Sequence, residues 1–129
     1  MALKVKNHKV LMSLLAVPYH GKLIEIIAWC SIRYHELVIT CGFRAGDKGV
    51  HGTRPYCRGI DIRSWIYDDP QKIVNDINNH FEYDPTRPTH IVDGIEEPLQ
   101  CAKLHDVYGE HIHLQAHPRT VYHKKGRTP

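Results

Sequence analysis

The sequence lacks an uninterrupted apolar stretch of the length that a membrane crossing requires. Its most apolar run, residues 10–17, is short and is interrupted by Ser13, whereas a transmembrane helix needs about 20 apolar residues. Lysines precede this run as in a secretory signal, but Pro18-Tyr19-His20 is a poor cleavage site, so we interpret the run as a short core helix. We therefore expect no membrane partner and a protein that is cytoplasmic as synthesised.

Paired cysteines and a nucleic-acid-binding stripe are also missing. The four cysteines are scattered without a Cys-x-x-Cys pair (Cys30, Cys41, Cys57 and Cys101), and without an export signal we expect reduced thiols. No run of Lys and Arg is interleaved with aromatic residues, which argues against a nucleic-acid partner. The formal charge of +3 includes a basic cluster near the C-terminus, at residues 123–127, which we interpret as part of a solvated tail.

Histidine, by contrast, is unusually abundant, with 11 in 129 residues. Histidine is the side chain that most often binds metals at neutral pH, so the useful question is which of the eleven converge. Hydrophobic residues make up 42% and charged residues 24% of the chain, as in ordinary globular domains. We expect one domain over residues 1–118, a basic C-terminal tail over residues 119–129, and a monomer.

Hydrophobic periodicity predicts the main elements. Apolar residues recur at helical spacing over residues 21–35, and Asp69-Pro70 begins a second helix with Asp as the N-cap. Residues 37–40 and 58–63 have strand patterns, with Ile60 and Ile62 facing inward and Asp61 facing outward. Residues 99–105 and 111–116 flank a turn and indicate a β-hairpin. The sequence predicts an α+β fold with a small antiparallel sheet and helices packed on one side.

The segment at residues 110–115, Glu-His-Ile-His-Leu-Gln, is the most informative for chemistry. On a strand, residues two apart share a face at a Cα separation of roughly 7 Å. His111, His113 and Gln115 then face one common space, while Ile112 and Leu114 face the core. Two imidazoles on a polar face suit metal binding, although an exposed strand face that happens to carry two histidines is the simpler alternative.

Two upstream residues strengthen the metal interpretation. His51 lies in a long loop rich in Gly, Asp and Pro, and Asp61 lies on the outward face of its strand. A catalytic zinc site needs three N or O ligands and one open position for water. His51, Asp61 and His113 supply such a set, and Cys57 is an alternative ligand at the end of the same loop.

Four motifs in order resemble the D-alanyl-D-alanine metallopeptidase family, which is related to lysostaphin-type endopeptidases and to the hedgehog signalling domain. They are Thr40-Cys41-Gly42-Phe43-Arg44, His51-Gly52, residues 58–63 (Arg-Gly-Ile-Asp-Ile-Arg) and residues 110–113 (Glu-His-Ile-His). The resemblance extends from about residue 37 to residue 115. It implies a hedgehog-like or D,D-peptidase-like fold and a zinc peptidase that cuts peptidoglycan stem peptides, plausible for a compact phage lysis enzyme that reaches the cell wall after release.

The resemblance also implies a role for each matched residue. His51, Asp61 and His113 correspond to the zinc ligands, and Glu110 to the general base that takes a proton from the attacking water. His111 corresponds to a histidine that steadies the oxyanion or the water, and it is the alternative base if Glu110 faces away. Arg44 corresponds to an arginine that steadies a substrate carbonyl or carboxylate, with a structural ion pair to Asp47 as the alternative.

Two other functions remain open at the sequence level. One is a catalytically inactive, zinc-stabilised structural or binding module of the same fold, and the presence of an acidic residue at Glu110 favours the enzyme over it. The other is a metal-dependent nuclease, which lacks the basic groove expected for phosphate binding. The peptide bond that is cleaved is not specified by the sequence.

Overall fold

The computed structural model describes residues 2–106 and 109–123 and has an α+β architecture. In the described residues three α-helices and nine strands follow one another along the chain, with a short 3-10 helix at Val50–Gly52 between β2 and β3. They are β1 (Ala2–Val5), α1 (His8–Ala16), α2 (Gly21–Arg33), β2 (Glu36–Cys41), β3 (Gly59–Arg63), α3 (Pro70–His80), β4 (Phe81–Glu82), β5 (Thr89–Val92), β6 (Ile95–Pro98), β7 (Ala102–Asp106), β8 (Glu110–Gln115) and β9 (Val121–Tyr122).

The main sheet has five strands in the order β1-β2-β3-β8-β7. Strands β2, β3, β8 and β7 are each antiparallel to the next strand in this order, whereas β1 pairs with β2 in parallel. The prediction of a purely antiparallel sheet, made without β1, is therefore wrong, and the sheet is mixed. The parallel pairing is possible because α1 and α2 form the crossover that a parallel connection needs.

The three helices share one hydrophobic core with one face of this sheet. Leu23, Ile26 and Cys30 of α2 and the apolar residues of α3 belong to the same buried cluster as alternate residues of β3 and β8. The side chain of Asp69 accepts a hydrogen bond from the backbone N–H of Lys72, as the predicted N-cap requires. Because side chains alternate along a strand, the opposite face of β3 and β8 is left for Asp61 and His113.

A second hairpin, β5–β6, is absent from the sequence analysis, which assigned no structure to this stretch. Its turn contains Asp93 and Gly94 at φ of 52° and 78°, and consecutive positive φ angles are typical of the two-residue turns that match strand twist. The Asp-Gly pair was therefore a sequence signal for this hairpin. The predicted hairpin β7–β8 is present in regular antiparallel register, and residues 107 and 108 of its turn lie outside the described residues.

The first part of the predicted basic tail packs on the domain. Strand β9 pairs with β4, and Thr120 is 2% exposed, with its hydroxyl donating a hydrogen bond to the carbonyl of Tyr83 at 2.7 Å. Residues 124–129 of the predicted tail lie outside the described residues. Among the described helices, none combines the length and the apolar character that a membrane span requires.

Candidate metal centre

Strands β3 and β8 place Asp61 and His113 directly opposite each other. Their register is regular from Gly59 to Arg63, and Asp61 is the partner of His113. The two neighbours of Asp61 along β3, Ile60 and Ile62, are fully buried in the core. Directly opposed residues share a face, so the carboxylate and the imidazole meet on the face away from the helices.

A bulge in β2 brings Cys41 to the same face. Ile39 pairs with Ile62 and Cys41 pairs with Asp61, so two residues of β2 advance against one residue of β3. In a regular ladder Cys41 would share the face of Ile39 and point into the core. The extra residue turns the side chain of Cys41 to the other face of the sheet. The thiol therefore lies on the same face as the Asp61 carboxylate and not on the core face.

His51 reaches the same face from the loop between β2 and β3. It lies in the 3-10 helix and is 4% exposed, and its carbonyl accepts a hydrogen bond from the backbone N–H of Arg44 at 2.8 Å. The next residue, Gly52, lies so close to the backbone of Asp47 that a Cβ at this position would overlap the Asp47 carbonyl oxygen. The loop is thus folded tightly enough to hold a buried imidazole.

One carboxylate oxygen is the meeting point of the three side chains. Oδ1 of Asp61 lies 3.2 Å from Nε2 of His51 and 3.0 Å from Nδ1 of His113, and the two imidazole centroids are 5.2 Å apart. Ligand atoms around a tetrahedral zinc lie about 3.3 to 3.6 Å from one another, given bonds of 2.0 to 2.2 Å. The two observed separations are within a few tenths of an ångström of that spacing, across gaps of ten and fifty-two residues in the chain.

Hydrogen bonds on the outer sides of the rings fix which nitrogen faces Asp61. Nδ1 of His51 is 2.9 Å from the carbonyl oxygen of Gly42, to which it can only donate. The amide of Gln115 donates to the carbonyl of Gln100 at 2.7 Å, which turns Oε1 of Gln115 towards Nε2 of His113 at 3.1 Å. A neutral ring in either position therefore carries its proton on the outer side, which leaves the inner nitrogen to bind a metal ion, and a protonated ring donates from the inner nitrogen to Asp61.

This arrangement leaves a place for a cation. Two nitrogen lone pairs and a carboxylate oxygen repel one another unless a proton or a metal ion lies between them. Burial alone would lower the pKa of His51, but the hydrogen bond to Asp61 raises it to about 10. Burial alone would raise the pKa of Asp61, but the hydrogen bonds from His113 and His51 hold it well below its usual range. Both shifts favour the charged pair, a protonated His51 beside an ionised Asp61.

The structure identifies Cys41, His51 and Asp61 as a group suited to hold a metal ion, with ligand atoms all within 4.8 Å of one another. The donor set of a thiol, an imidazole and a carboxylate is compatible with zinc. Sequence reasoning missed Cys41 because its direction depends on the bulge. It considered Cys57 instead, but that thiol is fully buried and donates to the carbonyl of Gly59 at 3.3 Å.

The two candidate bases, His111 and Glu110, differ in their contacts with this centre. Nε2 of His111 lies 3.7 Å from Oδ2 of Asp61. The ring of His105, which pairs with His111 across β7 and β8, stacks on the ring of His113 with the centroids 5.4 Å apart. Glu110 is exposed at the start of β8, and its side chain forms no ion pair with another described residue, but it lines the same cleft.

Arg44 forms the structural ion pair that the sequence analysis held as its alternative role. Its Nε lies 3.2 Å from a carboxylate oxygen of Asp47, while more than half of the side chain is exposed. It also lines the cleft over the metal centre, so the ion pair leaves part of the guanidinium facing the open space. The two roles are compatible in this geometry.

The cleft above the centre has a volume of about 1220 Å³ and is rich in cations. Its lining includes five Lys and Arg side chains against three carboxylates, one of which belongs to Asp61. The cations are Lys6, Arg44, Lys48, Arg63 and Arg87. Such a lining favours a ligand that carries negative charge.

Comparison of this chain with protein-family models, with curated proteins and with solved structures found no significant match in any of the three searches.

Proposed function

We propose that this chain is a zinc-dependent peptidase that hydrolyses peptide bonds in peptidoglycan stem peptides, as a carboxypeptidase or an endopeptidase. The observation that carries the proposal is the convergence of Nε2 of His51 and Nδ1 of His113 on Oδ1 of Asp61, at 3.2 Å and 3.0 Å. Two histidines and one carboxylate form a ligand set of catalytic zinc in hydrolases. The order of the motifs along the chain supports the peptidase over other zinc hydrolases.

Zinc bound by these three residues would polarise the scissile carbonyl and lower the pKa of water towards about 7. A carboxylate oxygen of Glu110 accepts the proton of the attacking water, and Nε2 of His111 is the alternative acceptor. The guanidinium of Arg44 offsets the negative charge that develops on the substrate carbonyl oxygen. Gln115 keeps the ring of His113 in the orientation that ligation needs.

The cleft provides a cationic groove that the sequence did not reveal, and such a groove suits an anionic substrate such as a stem peptide. Stem peptides carry several carboxylates, and the cleft presents an excess of cationic side chains around the centre. Trp65 is 71% exposed at the edge of the cleft, and the guanidinium of Arg63 lies 4.7 Å from its ring centroid. This pair offers a flat surface and a charge to an extended acidic peptide.

The test is release of peptide fragments from purified bacterial cell walls of several chemotypes. Zinc-loaded wild-type protein should release them, and the product masses identify the bond that is cut. His113→Ala should release none because it loses a ligand, while Arg119→Ala, a change of an exposed residue outside the cleft, should release as much as the wild type. If the zinc-loaded wild type releases nothing from any chemotype, the peptidase proposal fails.

A zinc-stabilised binding module is the second candidate. The observation that favours it is the exposed position of Glu110, whose side chain has no described ion-pair partner to hold it over Asp61. A protein that binds zinc and cell-wall peptides without cleaving them would establish this function in place of the first.

A further inference from the structure

Of the four cysteines, Cys41 is the one whose sulfur belongs to the candidate metal group, within 4.8 Å of a carboxylate oxygen of Asp61 and a ring nitrogen of His51. Its Sγ lies 3.9 Å from Nδ1 of His51 and 3.7 Å from the carbonyl oxygen of Gly42. The other three thiols are fully buried in the protein interior (Cys30, Cys57 and Cys101). Cys41 is half-buried, so its side chain has room to turn that the others lack.

We propose that the Cys41 thiolate is a fourth protein ligand of the metal and takes the position that hydrolysis requires for water. This inference rests on the proposed metal centre. With His51, Asp61 and His113 the sulfur completes a four-coordinate shell, and zinc in such a closed shell has no open site. Cys41 therefore competes with water for the fourth position, so the zinc-loaded wild type still cleaves walls in the fraction of molecules that lack the sulfur ligand. Cys41→Ser should cleave them faster than the wild type.

The backbone of β2 puts the thiol within reach of this position. Cys41 is the register partner of Asp61, and the bulge directs its side chain to the face of the carboxylate. A sulfur ligand and a nitrogen ligand on one zinc are about 3.5 to 3.7 Å apart, given bonds of 2.3 Å and 2.0 to 2.1 Å. The ligand atoms of Cys41, His51 and Asp61 lie within 4.8 Å of one another, so the sulfur is about 1 Å from that spacing before any metal is bound.

The chemistry of the thiol favours this step. Binding to the metal requires the thiolate, so the thiol proton is released to solvent when the sulfur binds. The contacts that hold the uncoordinated thiol are weak, at 3.7 Å and 3.9 Å. By contrast Cys57 donates to Gly59 at 3.3 Å, and Cys30 and Cys101 have pKa values that burial raises to about 12, which disfavours the thiolate in each.

Cobalt(II) in place of zinc tests the proposal by spectroscopy. Thiolate bound to cobalt gives a charge-transfer absorption in the near ultraviolet, whereas nitrogen and oxygen ligands give only the weaker visible bands. The wild type should show both, Cys41→Ser should keep the visible bands and lose the charge-transfer band, and Cys57→Ser should match the wild type. A band that is absent from the cobalt-loaded wild type, or that persists in Cys41→Ser, overturns the proposal.

Thiol titration of the wild type gives a second measurement that needs no variant. One thiol of the native, metal-free protein should react quickly with a water-soluble disulfide reagent, peptide mapping should place the label on Cys41, and zinc should abolish the reaction. Unchanged labelling of Cys41 with zinc bound contradicts coordination by sulfur. If the wild type binds cobalt without a charge-transfer band and still cleaves walls, only the sulfur ligand is rejected. If the wild type binds neither zinc nor cobalt, the proposed function is rejected as well.

Discussion

At the scale of single residues, the orientation of the His51 and His113 rings depends on the hydrogen bonds on their outer sides as well as on the contacts with Asp61. Gly42 and Gln115 each accept a hydrogen bond from the outer nitrogen of one ring, so that the inner nitrogen faces Asp61. The sequence analysis placed Gln115 on the face of His113 by strand alternation. It had no means of finding Gly42, because a backbone carbonyl carries no signal in the sequence.

Gln115→Ala should therefore lower zinc affinity about 10- to 100-fold without unfolding the protein, since loss of a group that orients a ligand has this effect in other metal sites. Competition with a chromogenic chelator measures the affinity. Gln71→Ala is the matched control, because Gln71 bonds only Asn75 on the exposed face of α3. Equal zinc affinities for the two variants would show that Gln115 does not orient His113 for metal binding.

The choice between Glu110 and His111 as proton acceptor is also a question at this scale. Glu110→Gln should bind zinc as the wild type does and lose about 10²- to 10⁴-fold in turnover, the usual contribution of a general base. Wall-peptide release at saturating zinc measures it, beside His111→Ala. If Glu110→Gln is fully active and His111→Ala has the defect, the base is His111.

At the scale of elements, the sequence was most informative where periodicity and caps agree. The helix predicted at residues 21–35 is Gly21–Arg33, and the one begun by Asp69-Pro70 is Pro70–His80. Strand β1 could not be found in this way because it is only four residues long and none of its side chains is buried. The bulge in β2 was equally hidden, since its one extra residue shows only in the pairing with β3.

The loop that carries His51 depends on one close approach of the backbone. Gly52→Ala puts a Cβ against the carbonyl of Asp47, so the 3-10 helix must shift and take His51 with it. We expect weaker zinc binding and a lower melting temperature. Gly21→Ala is the control, because the space around Gly21 is open; if both variants bind zinc equally well, the tight loop is not needed to position His51.

At the scale of the whole molecule, a metal bound by the proposed ligands would join three separate parts of the chain: the loop after β2, strand β3 and strand β8. Zinc at 100 times its dissociation constant should stabilise the fold by about 2.7 kcal/mol. That corresponds to a rise in the melting temperature on the order of 10 °C for a domain of this size. Melts with zinc and with a chelator measure it, and the His113→Ala protein, which keeps the other proposed ligands, should show a smaller shift; identical midpoints for the wild type would contradict the account.

The most direct test of the central claim is anomalous diffraction from crystals of the zinc-loaded protein, recorded on both sides of the zinc absorption edge. The account predicts one strong anomalous peak about 2.0 to 2.2 Å from Nε2 of His51, a carboxylate oxygen of Asp61 and Nδ1 of His113. A zinc-loaded crystal with no peak among these three side chains, or with the metal bound elsewhere in the chain, would contradict it.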